Sequence, residues 1–275
     1  MAAAFSISDT QSLVSFACEL ADESGRIILP FFRRALAVEN KLGPAGFDPV
    51  TQADRDAELA IRALIKQRHG DHGVLGEEQG LTPGSSPLTW VVDPIDGTRA
   101  FMCGMAQWGT LIALNDGTRP VIGVLDQPYL QERWVGADGV AEFQRKGEPP
   151  RPLKTRRCKS LGEATLSTTS PVGYFDVYEQ RAFWALSNQV RLTRFGGDCY
   201  GYGLLAMGFI DVIVEAGLKP WDIQALIPIV AGAGGVVTGW DGKSCYDGGQ
   251  VVACGDPDLL PLVLQVLQVV LADAR

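Results

Sequence analysis

The hydrophobic pattern changes near residue 150, and this change constrains the fold more than any other feature of the sequence. Residues 73–145 contain short apolar runs, several of them separated by turn dipeptides such as Asp116-Gly117 and Asp138-Gly139. This pattern is typical of a mostly antiparallel sheet. Beyond residue 160, strand-like runs alternate with helical stretches, as in a layered sheet covered by helices. We predict an α/β fold of mixed α+β character.

The stretch 145–160 is the best candidate for a connection between two lobes. It is polar and basic, holds three prolines and has no hydrophobic periodicity. We therefore predict an N-terminal α+β lobe at 1–148 and a C-terminal α/β lobe at 149–275, together forming one compact unit. Apolar spacing predicts helices at 10–34, 51–68, 176–189, 199–208, 222–233 and the C-terminus. Thr51 and Asp54 fit the N-cap and N3 positions of the second helix.

Composition excludes several classes of protein. The chain has 275 residues, of which 46% are hydrophobic, and a net charge of −8. An acidic chain without a basic stripe is a poor ligand for nucleic acid. The apolar stretch near the C-terminus is interrupted by Pro261 and by glutamines, which favours a buried helix over a membrane span. The N-terminus lacks a signal-peptide pattern, and the six cysteines form no C-x-x-C pair, so we predict a cytoplasmic protein.

Acidic residues stand where predicted strands end and helices begin. Asp93 and Asp96 close the strand in "TWVVDPIDGT", Glu77 lies in "GEEQG", and Asp222 lies in "KPWDIQAL". Taken alone, each has an ordinary structural explanation: a turn for Asp96, a helix N-cap for Asp222 and a solvated loop charge for Glu77. Buried carboxylates need a positive partner, and hard oxygen ligands in this arrangement are what Mg²⁺ selects.

Two other metal sites are disfavoured. The chain has two histidines, both in "RHGDHG", which we expect to be a solvated polar turn, so a zinc hydrolase is improbable. The spacing of Asp93 and Asp96 does not fit an EF-hand loop. Gly97 and Thr98 begin a short predicted helix whose free backbone N–H groups could seat a phosphate. Together these residues support metal-assisted hydrolysis of a phosphate ester by water.

The segments "GEE", "DPIDGT" and "WD", in this order and spacing, resemble those of the inositol monophosphatase superfamily over nearly the whole chain. The resemblance implies a layered αβαβα sugar-phosphatase fold, usually dimeric, that binds two or three Mg²⁺ ions. It implies these metal ligands: Glu77, Asp93, the Ile95 carbonyl, Asp96 and Asp222. It further implies that Thr98, paired with Asp54, orients the attacking water, as Glu77 also does, and that Lys41 lies near a metal loop.

A narrower resemblance is to the histidinol-phosphate phosphatase branch, carried by "DGTRAFMCG" and by "FGGDCYGYGLLAMGFIDVIVEAGLKPWD". Arg99 stands where inositol-specific members more often have another residue after the threonine. A substrate with an ammonium and an imidazole favours carboxylates in its site, and Asp198 and Glu215 are the candidates. Gly97, Thr98 and Arg99 complete the predicted substrate site. The structural alternatives are an N-cap for Asp198 and a surface arginine for Arg99.

Three functions follow as hypotheses. The first is hydrolysis of L-histidinol phosphate in histidine biosynthesis, by a homodimer with no nucleic-acid or membrane partner. The second is hydrolysis of inositol monophosphate or another small phosphate ester, with the same chemistry and a different pocket. The third is a regulator that keeps the fold without turnover, against which the intact set of acidic residues argues.

Overall fold

The computed structural model describes residues 7–34, 38–40 and 49–273. The predicted role of Lys41 falls outside these residues. The helices, numbered in chain order, are α1 Ile7–Ile28, α2 Gln52–Arg68, α3 Thr98–Met102, α4 Val177–Ser187, α5 Asp198–Ala206, α6 Pro220–Ile223, α7 Leu226–Gly232 and α8 Leu260–Asp273. The strands are β1 Val38–Asn40, β2 Pro49–Thr51, β3 Gly73–Gly76, β4 Gly80–Thr82, β5 Thr89–Asp96, β6 Gly109–Asn115, β7 Pro120–Gln127, β8 Glu132–Ala137, β9 Val140–Arg145, β10 Arg151–Pro152, β11 Thr165–Thr168, β12 Leu192–Phe195, β13 Val212–Leu218, β14 Val236–Gly239 and β15 Gly249–Cys254.

The first large sheet has eight strands in the order β10-β9-β8-β7-β6-β5-β3-β4. Its neighbours pair antiparallel, except that β3 runs parallel to β5. The predicted antiparallel sheet is therefore confirmed. Because β3 and β5 are parallel, their carboxyl ends lie side by side at the same edge of the sheet, and the residues that follow them lie close together.

The second sheet has five strands in the order β12-β11-β13-β15-β14. Strand β11 pairs parallel with β12 and β13, whereas β15 pairs antiparallel with β13 and β14. Helices α4 and α5 connect the parallel strands, as the alternating pattern predicts. The boundary between lobes at 148 and 149 stays a prediction.

Apolar side chains bury both faces of each sheet and so set the layers. Helices α1 and α2 cover one face of the eight-stranded sheet, around Trp90 and Leu20. Helices α5 and α7 fill the space between the two sheets, around Trp134 and Ile229. Helices α4 and α8 cover the outer face of the five-stranded sheet, around Phe183. The order helix, sheet, helix, sheet, helix confirms the predicted αβαβα architecture.

Two predicted helix boundaries are wrong for a local reason. The first helix ends as an α-helix at Ile28 and continues as a 3₁₀ turn at Leu29–Phe31. Pro30 has no N–H to extend the ladder and disfavours the helical conformation of the residue before it. The predicted helix at 222–233 is divided into α6 and α7. The short α6 keeps Asp222 in a first helical turn, which orients it towards the cleft described below.

The expectation of a solvated histidine turn is wrong. The His72 side chain is only 7% exposed, and its Nδ1 accepts a hydrogen bond of 3.1 Å from the Trp90 indole Nε1. The His69 ring stacks on His72 and contacts Phe16. The pair therefore closes one end of the core beneath α1 and α2. No helix in the described part of the chain is long and apolar enough to cross a membrane.

Candidate active site

A break in strand β5 brings its two aspartates to the same place. In a regular strand, residues three apart point to opposite faces of the sheet. The pairing of β5 with β6 shifts register between Asp93 and Asp96, with Pro94 inside the irregular segment. Pro94 has no N–H for the ladder, so this position suits a bulge. As a result both carboxylates face the cleft at the strand end.

Three carboxylates converge there. Oxygen atoms of Asp93, Asp96 and Asp222 all lie within 4.8 Å of one another. A backbone N–H orients each one: Ile95 N donates to Asp93 (3.0 Å), Cys199 N to Asp96 (2.7 Å), and Lys219 N to Asp222 (2.7 Å). Because these donors belong to β5, α5 and the start of α6, segments far apart in the chain fix the cluster together.

Glu77 reaches the same cleft from the neighbouring strand. Strand β3 ends at Gly76, opposite Val92 in the parallel pair, and the Glu77 N–H donates to the Val92 carbonyl at 3.3 Å. Glu77 thus follows directly after β3, beside the strand that carries Asp93. Glu77 lines the cleft together with the three aspartates.

Burial and mutual repulsion raise the pKa of the aspartates. The pKa of Asp93, which is 1% exposed, lies well above its usual value because of burial and the negative charges of Glu77, Asp96, Asp222 and Asp54. Burial, followed by repulsion from Asp96, raises the pKa of Asp222 in the same direction. Burial raises the pKa of Asp96 to about 6, against the hydrogen bond from Cys199. Positive charge brought among these carboxylates would favour their ionised forms and lower their pKa values.

The donor set fits a hard divalent cation. Several carboxylate oxygens converge, and the carbonyl of Ile95 lines the same cleft. Mg²⁺ binds through carboxylate and carbonyl oxygens and supplies the positive charge that the raised pKa values indicate is needed. Glu77, Asp93, Ile95, Asp96 and Asp222 are therefore the residues that could hold it.

The sequence "DGTR" forms the next part of the cleft wall. Gly97 is the N-cap of α3 in the left-handed conformation, with φ of 84°. A Cβ there would lie 2.8 Å from the Gln107 carbonyl oxygen, so this position requires glycine on two grounds. The Thr98 hydroxyl donates to the Ile95 carbonyl at 3.0 Å. Thr98 and Arg99 line the cleft beside the carboxylate cluster, and their roles in substrate binding stay a prediction.

Asp54 does not line the cleft. It sits at N3 of α2, where its Oδ2 accepts from the Thr51 N–H (2.8 Å) and hydroxyl (2.5 Å). The predicted capping box at Thr51 and Asp54 is confirmed. Burial raises the pKa of Asp54 to about 6, and Glu77 contributes to that rise. Among the contacts described, no hydrogen bond joins Asp54 to Thr98, and the role of Asp54 in orienting water stays a prediction.

Asp198 and Glu215 line the cleft from α5 and β13, and Asp198 lies against Gly97, where an added Cβ would be 3.2 Å from the Asp198 Cβ. Asp198 is the first residue of α5 and adopts a φ of 42°. The alternative that Asp198 caps α5 is wrong, since the cap residue is Gly197 and no side-chain cap bond forms. Burial, with Asp96 and Glu215 nearby, raises the pKa of Asp198 to about 8.

Glu215 is buried in β13 and carries three hydrogen bonds. Its Oε1 accepts from the Thr169 N–H (2.7 Å) and hydroxyl (3.0 Å), and its Oε2 accepts from the Thr168 hydroxyl (3.0 Å). Burial nonetheless raises the pKa of Glu215 to about 7. The carboxylate is therefore held rigidly at the cleft wall, with its charge only partly offset.

The sequence reasoning missed several cleft residues. Tyr174 lies against Arg99, whose guanidinium carbon is 4.5 Å from the centre of the tyrosine ring. Thr169 and Lys219 also line the cleft. Lys219 directly precedes the "PWD" segment and could have been found from it. Tyr174 follows β11 in a stretch without periodicity, so no local pattern indicated it.

The cleft has a volume of about 350 Å³, which suits a small molecule, and lies where the two sheets meet. A layered αβαβα fold with converging carboxylates next to a glycine-opened helix defines the class of metal-dependent phosphatases. The sequence profile described as "Inositol monophosphatase family" matches residues 9–272. The chain belongs to this family.

Individual relatives agree on the family and differ in their stated substrates. The chain is 40% identical to the chloroplastic bifunctional phosphatase IMPL2 of Arabidopsis thaliana, over 90% of this chain and 73% of the relative. It is 34% identical to a histidinol-phosphatase of Chlorobaculum parvum, over 88% and 92%. The solved structure of an inositol monophosphatase from Zymomonas mobilis superposes with a TM-score of 0.83 at 42% identity, over 94% of this chain and 98% of that one.

Proposed function

We propose that this protein is a Mg²⁺-dependent phosphatase that hydrolyses L-histidinol phosphate to L-histidinol and phosphate, in the cytoplasm, as a homodimer. The observation that carries the substrate assignment is the acidic wall that α5 and β13 add to the cleft beside the carboxylate cluster. Asp198 and Glu215 line it, and both have a pKa raised by burial. A cationic ligand would stabilise their ionised forms, whereas a neutral polyol would add no positive charge to that of Arg99, which acts on Asp198.

L-Histidinol phosphate matches this wall in charge and in polarity. Beyond its phosphate it carries a primary ammonium and an imidazole, both of which donate hydrogen bonds to carboxylates. The phosphate would lie against Gly97 and Thr98 at the start of α3, where backbone N–H groups are available. Arg99, stacked on Tyr174 at the rim, would add a positive charge near the phosphate.

The chain's own residues account for binding and orientation in the reaction. Glu77, Asp93, the Ile95 carbonyl, Asp96 and Asp222 would hold two or three Mg²⁺ ions, which supply an activated water and charge stabilisation of the leaving oxygen. The Thr98 hydroxyl already donates to Ile95, so its lone pairs remain to accept an O–H of the attacking water. Glu77 and Asp54 enter the proposal as carboxylates that help to orient that water.

Inositol monophosphate is the second candidate substrate. It is favoured by the 42% identity to the inositol monophosphatase of Zymomonas mobilis. The names of relatives at similar identity do not distinguish L-histidinol phosphate from inositol monophosphate. The proposed choice between the two substrates therefore depends on charge recognition at Asp198 and Glu215.

The substitution Glu215→Gln tests the substrate assignment. It keeps the size of the side chain and one carbonyl acceptor but removes the charge. A charge-assisted hydrogen bond is worth about 1.5–3 kcal/mol, so we expect KM for L-histidinol phosphate to rise roughly tenfold to a hundredfold. Hydrolysis of p-nitrophenyl phosphate, which has no cationic group, should be nearly unchanged. The exposed Glu163, replaced by Gln, is the matched control and should alter neither reaction.

Equal losses on both esters would contradict the substrate assignment. They would place Glu215 among the residues that support the metal cluster or the fold. A normal KM for L-histidinol phosphate in Glu215→Gln would contradict charge recognition by this residue.

A further inference from the structure

A buried glutamate behind the cleft contacts the turn that carries Glu77. Glu58, on α2, has a fully buried side chain. Its Oε2 accepts from the Glu78 N–H at 2.7 Å, and its Oε1 accepts from the Gln79 N–H at 3.1 Å. These two amides follow Glu77 directly in the chain. The carboxylate of Glu58 therefore binds the backbone of the three-residue turn between β3 and β4.

The turn is also held by a hydrogen bond to strand β5. Strands β3 and β4 pair Gly76 with Gly80, which leaves residues 77–79 as the connecting turn. On one side the Glu77 N–H donates to the Val92 carbonyl, next to Asp93. On the other side Glu58 takes the N–H groups of the following two residues. The backbone of Glu77 is thus fixed between the strand of the aspartates and helix α2.

Arg62 completes this arrangement one helical turn after Glu58. Its Nε donates to Glu58 Oε1 at 2.7 Å, and its other guanidinium nitrogens donate to the Gly80 carbonyl (2.5 Å) and the Thr82 hydroxyl (3.0 Å). Glu58 therefore has a positive partner, as a buried carboxylate requires. Arg62 also ties strand β4 to the same helix face, so the turn and the strand that follows it are both anchored to α2.

Gly76 shows how closely the glutamate approaches the turn. A Cβ at Gly76 would lie 2.3 Å from Glu58 Oε1 and 2.7 Å from Oε2. The three nearest atoms all belong to the Glu58 carboxylate. The glycine at this position thus leaves the space that the carboxylate occupies.

We propose that Glu58 is a positioning residue: through the amides of Glu78 and Gln79 it holds the Glu77 carboxylate in place for Mg²⁺. The inference rests on the proposed function, in which Glu77 is a ligand. Glu58 does not touch the metal or the substrate in this account. Supporting residues of this kind typically change metal affinity tenfold to a hundredfold when they are replaced.

Glu58→Gln in the full-length chain is the first test. Glutamine offers one carbonyl oxygen where three N–H donors converge, and its own NH₂ would face a donor. We expect the Kd for Mg²⁺, measured by calorimetry on metal-stripped protein, to rise tenfold to a hundredfold. The far-UV circular dichroism should be unchanged. Asp56→Asn, which removes a carboxylate from the solvent side of the same helix, is the control and should bind Mg²⁺ as the wild type does.

A kinetic measurement separates positioning from general damage. Because Glu77 itself is still present, kcat of Glu58→Gln should return to near the wild-type value at saturating Mg²⁺. Damage to the fold would instead lower kcat at every Mg²⁺ concentration. A folded Glu58→Gln variant with the Mg²⁺ affinity of Asp56→Asn would overturn the proposal, as would a loss of kcat that Mg²⁺ does not restore.

Gly76→Ala is the second variant and decides the matter if Glu58→Gln does not fold. It keeps the charge of Glu58 but displaces its carboxylate, so the same loss of Mg²⁺ affinity is expected. Wild-type affinity in this variant would contradict the proposal.

Failure of the proposed function can be distinguished from failure of the positioning role. A wild-type chain that binds Mg²⁺ without hydrolysing phosphate esters contradicts the proposed function alone. An active wild type with a normal Glu58→Gln contradicts only the positioning role.

Discussion

Asp93 is the residue on which the carboxylate cluster depends most. It is the most deeply buried of the three converging aspartates, and its pKa is raised by burial and by four neighbouring carboxylates. Replacing it by asparagine removes one charge from the cluster while preserving its shape and its acceptor for the Ile95 N–H. The unfolding free energy should therefore stay near that of the wild type, or increase.

For Asp93→Asn we predict a loss of Mg²⁺-dependent phosphate release of at least about a hundredfold, since the residue would contact more than one ion. Phosphate release and a thermal unfolding curve, measured on one preparation, check this. Wild-type turnover by folded Asp93→Asn would rule out the metal assignment.

Glu215 links the pH of the solution to stability. Burial raises its pKa from 4.5 to about 7, so the folded protein keeps the proton to a higher pH than the unfolded chain does. The stabilisation from the retained proton is complete below about pH 4.5 and is lost as the pH rises through about 7. Between these limits the unfolding free energy of the wild type should fall by roughly 3 kcal/mol relative to Glu215→Gln.

Denaturant unfolding of both proteins at several pH values in EDTA checks this prediction. EDTA keeps metal binding out of the comparison. Parallel pH profiles for the two proteins would show that Glu215 does not carry the raised pKa.

At the scale of elements, α2 is the helix that supports the site from behind. Three residues spaced four apart, Asp54, Glu58 and Arg62, lie on the face that meets β2, β3 and β4. The N-terminus of the helix is closed by the Thr51 capping box. Its stability should therefore affect both the fold and the position of Glu77.

Thr51→Ala removes the hydroxyl that accepts from the Ala53 N–H and donates to Asp54. Loss of such a cap costs about 0.5–2 kcal/mol, and we expect a decrease of that size in the unfolding free energy. Urea unfolding measures it. Thr10→Ala, which replaces a buried threonine in the first turn of α1, is a comparison variant. An unchanged midpoint for Thr51→Ala would contradict the stabilising role of the cap.

The sequence was sufficient to predict structural features where neighbouring residues alone determine them. Neighbouring residues predict the strand end at Asp96, the helix start at Gly97 and the capping box at Thr51, and the structure confirms all three, whereas the bulge at Pro94 is seen only in the structure. Contacts between segments that are distant in the chain could not be predicted from the sequence. Cys199 lies 103 residues from Asp96, whose carboxylate its N–H binds, and no periodicity relates the two.

The wrong prediction for the histidines and the missed Tyr174 also result from contacts between distant segments. The stretch "RHGDHG" is polar and local pattern places it in solvent, yet Trp90, eighteen residues away, buries His72 by a hydrogen bond and ring stacking. Tyr174 reaches the cleft because β11 and β13 are neighbours in the sheet, a pairing set by the whole fold. Tertiary contacts thus decide the features that spacing alone cannot.

At the scale of the whole molecule, two sheets and their helices create one cleft lined by carboxylates from both sheets. The eight-stranded sheet supplies Glu77, Asp93 and Asp96 at one edge, and the five-stranded sheet supplies Glu215. The helices between and beside the sheets contribute Asp198 and Asp222. In the proposed function the cluster around Asp93 is the reaction centre, and Asp198 and Glu215 select the substrate by their charge.

The most direct test compares two substrates with the wild-type chain. Phosphate release from L-histidinol phosphate and from inositol 1-phosphate is followed with Mg²⁺ and with EDTA. We predict release that requires Mg²⁺, with kcat/KM at least about tenfold higher for L-histidinol phosphate, the difference expected from one charge-assisted hydrogen bond. Equal or higher kcat/KM for inositol 1-phosphate would contradict the substrate assignment, and undiminished release in EDTA would contradict the metal-dependent chemistry.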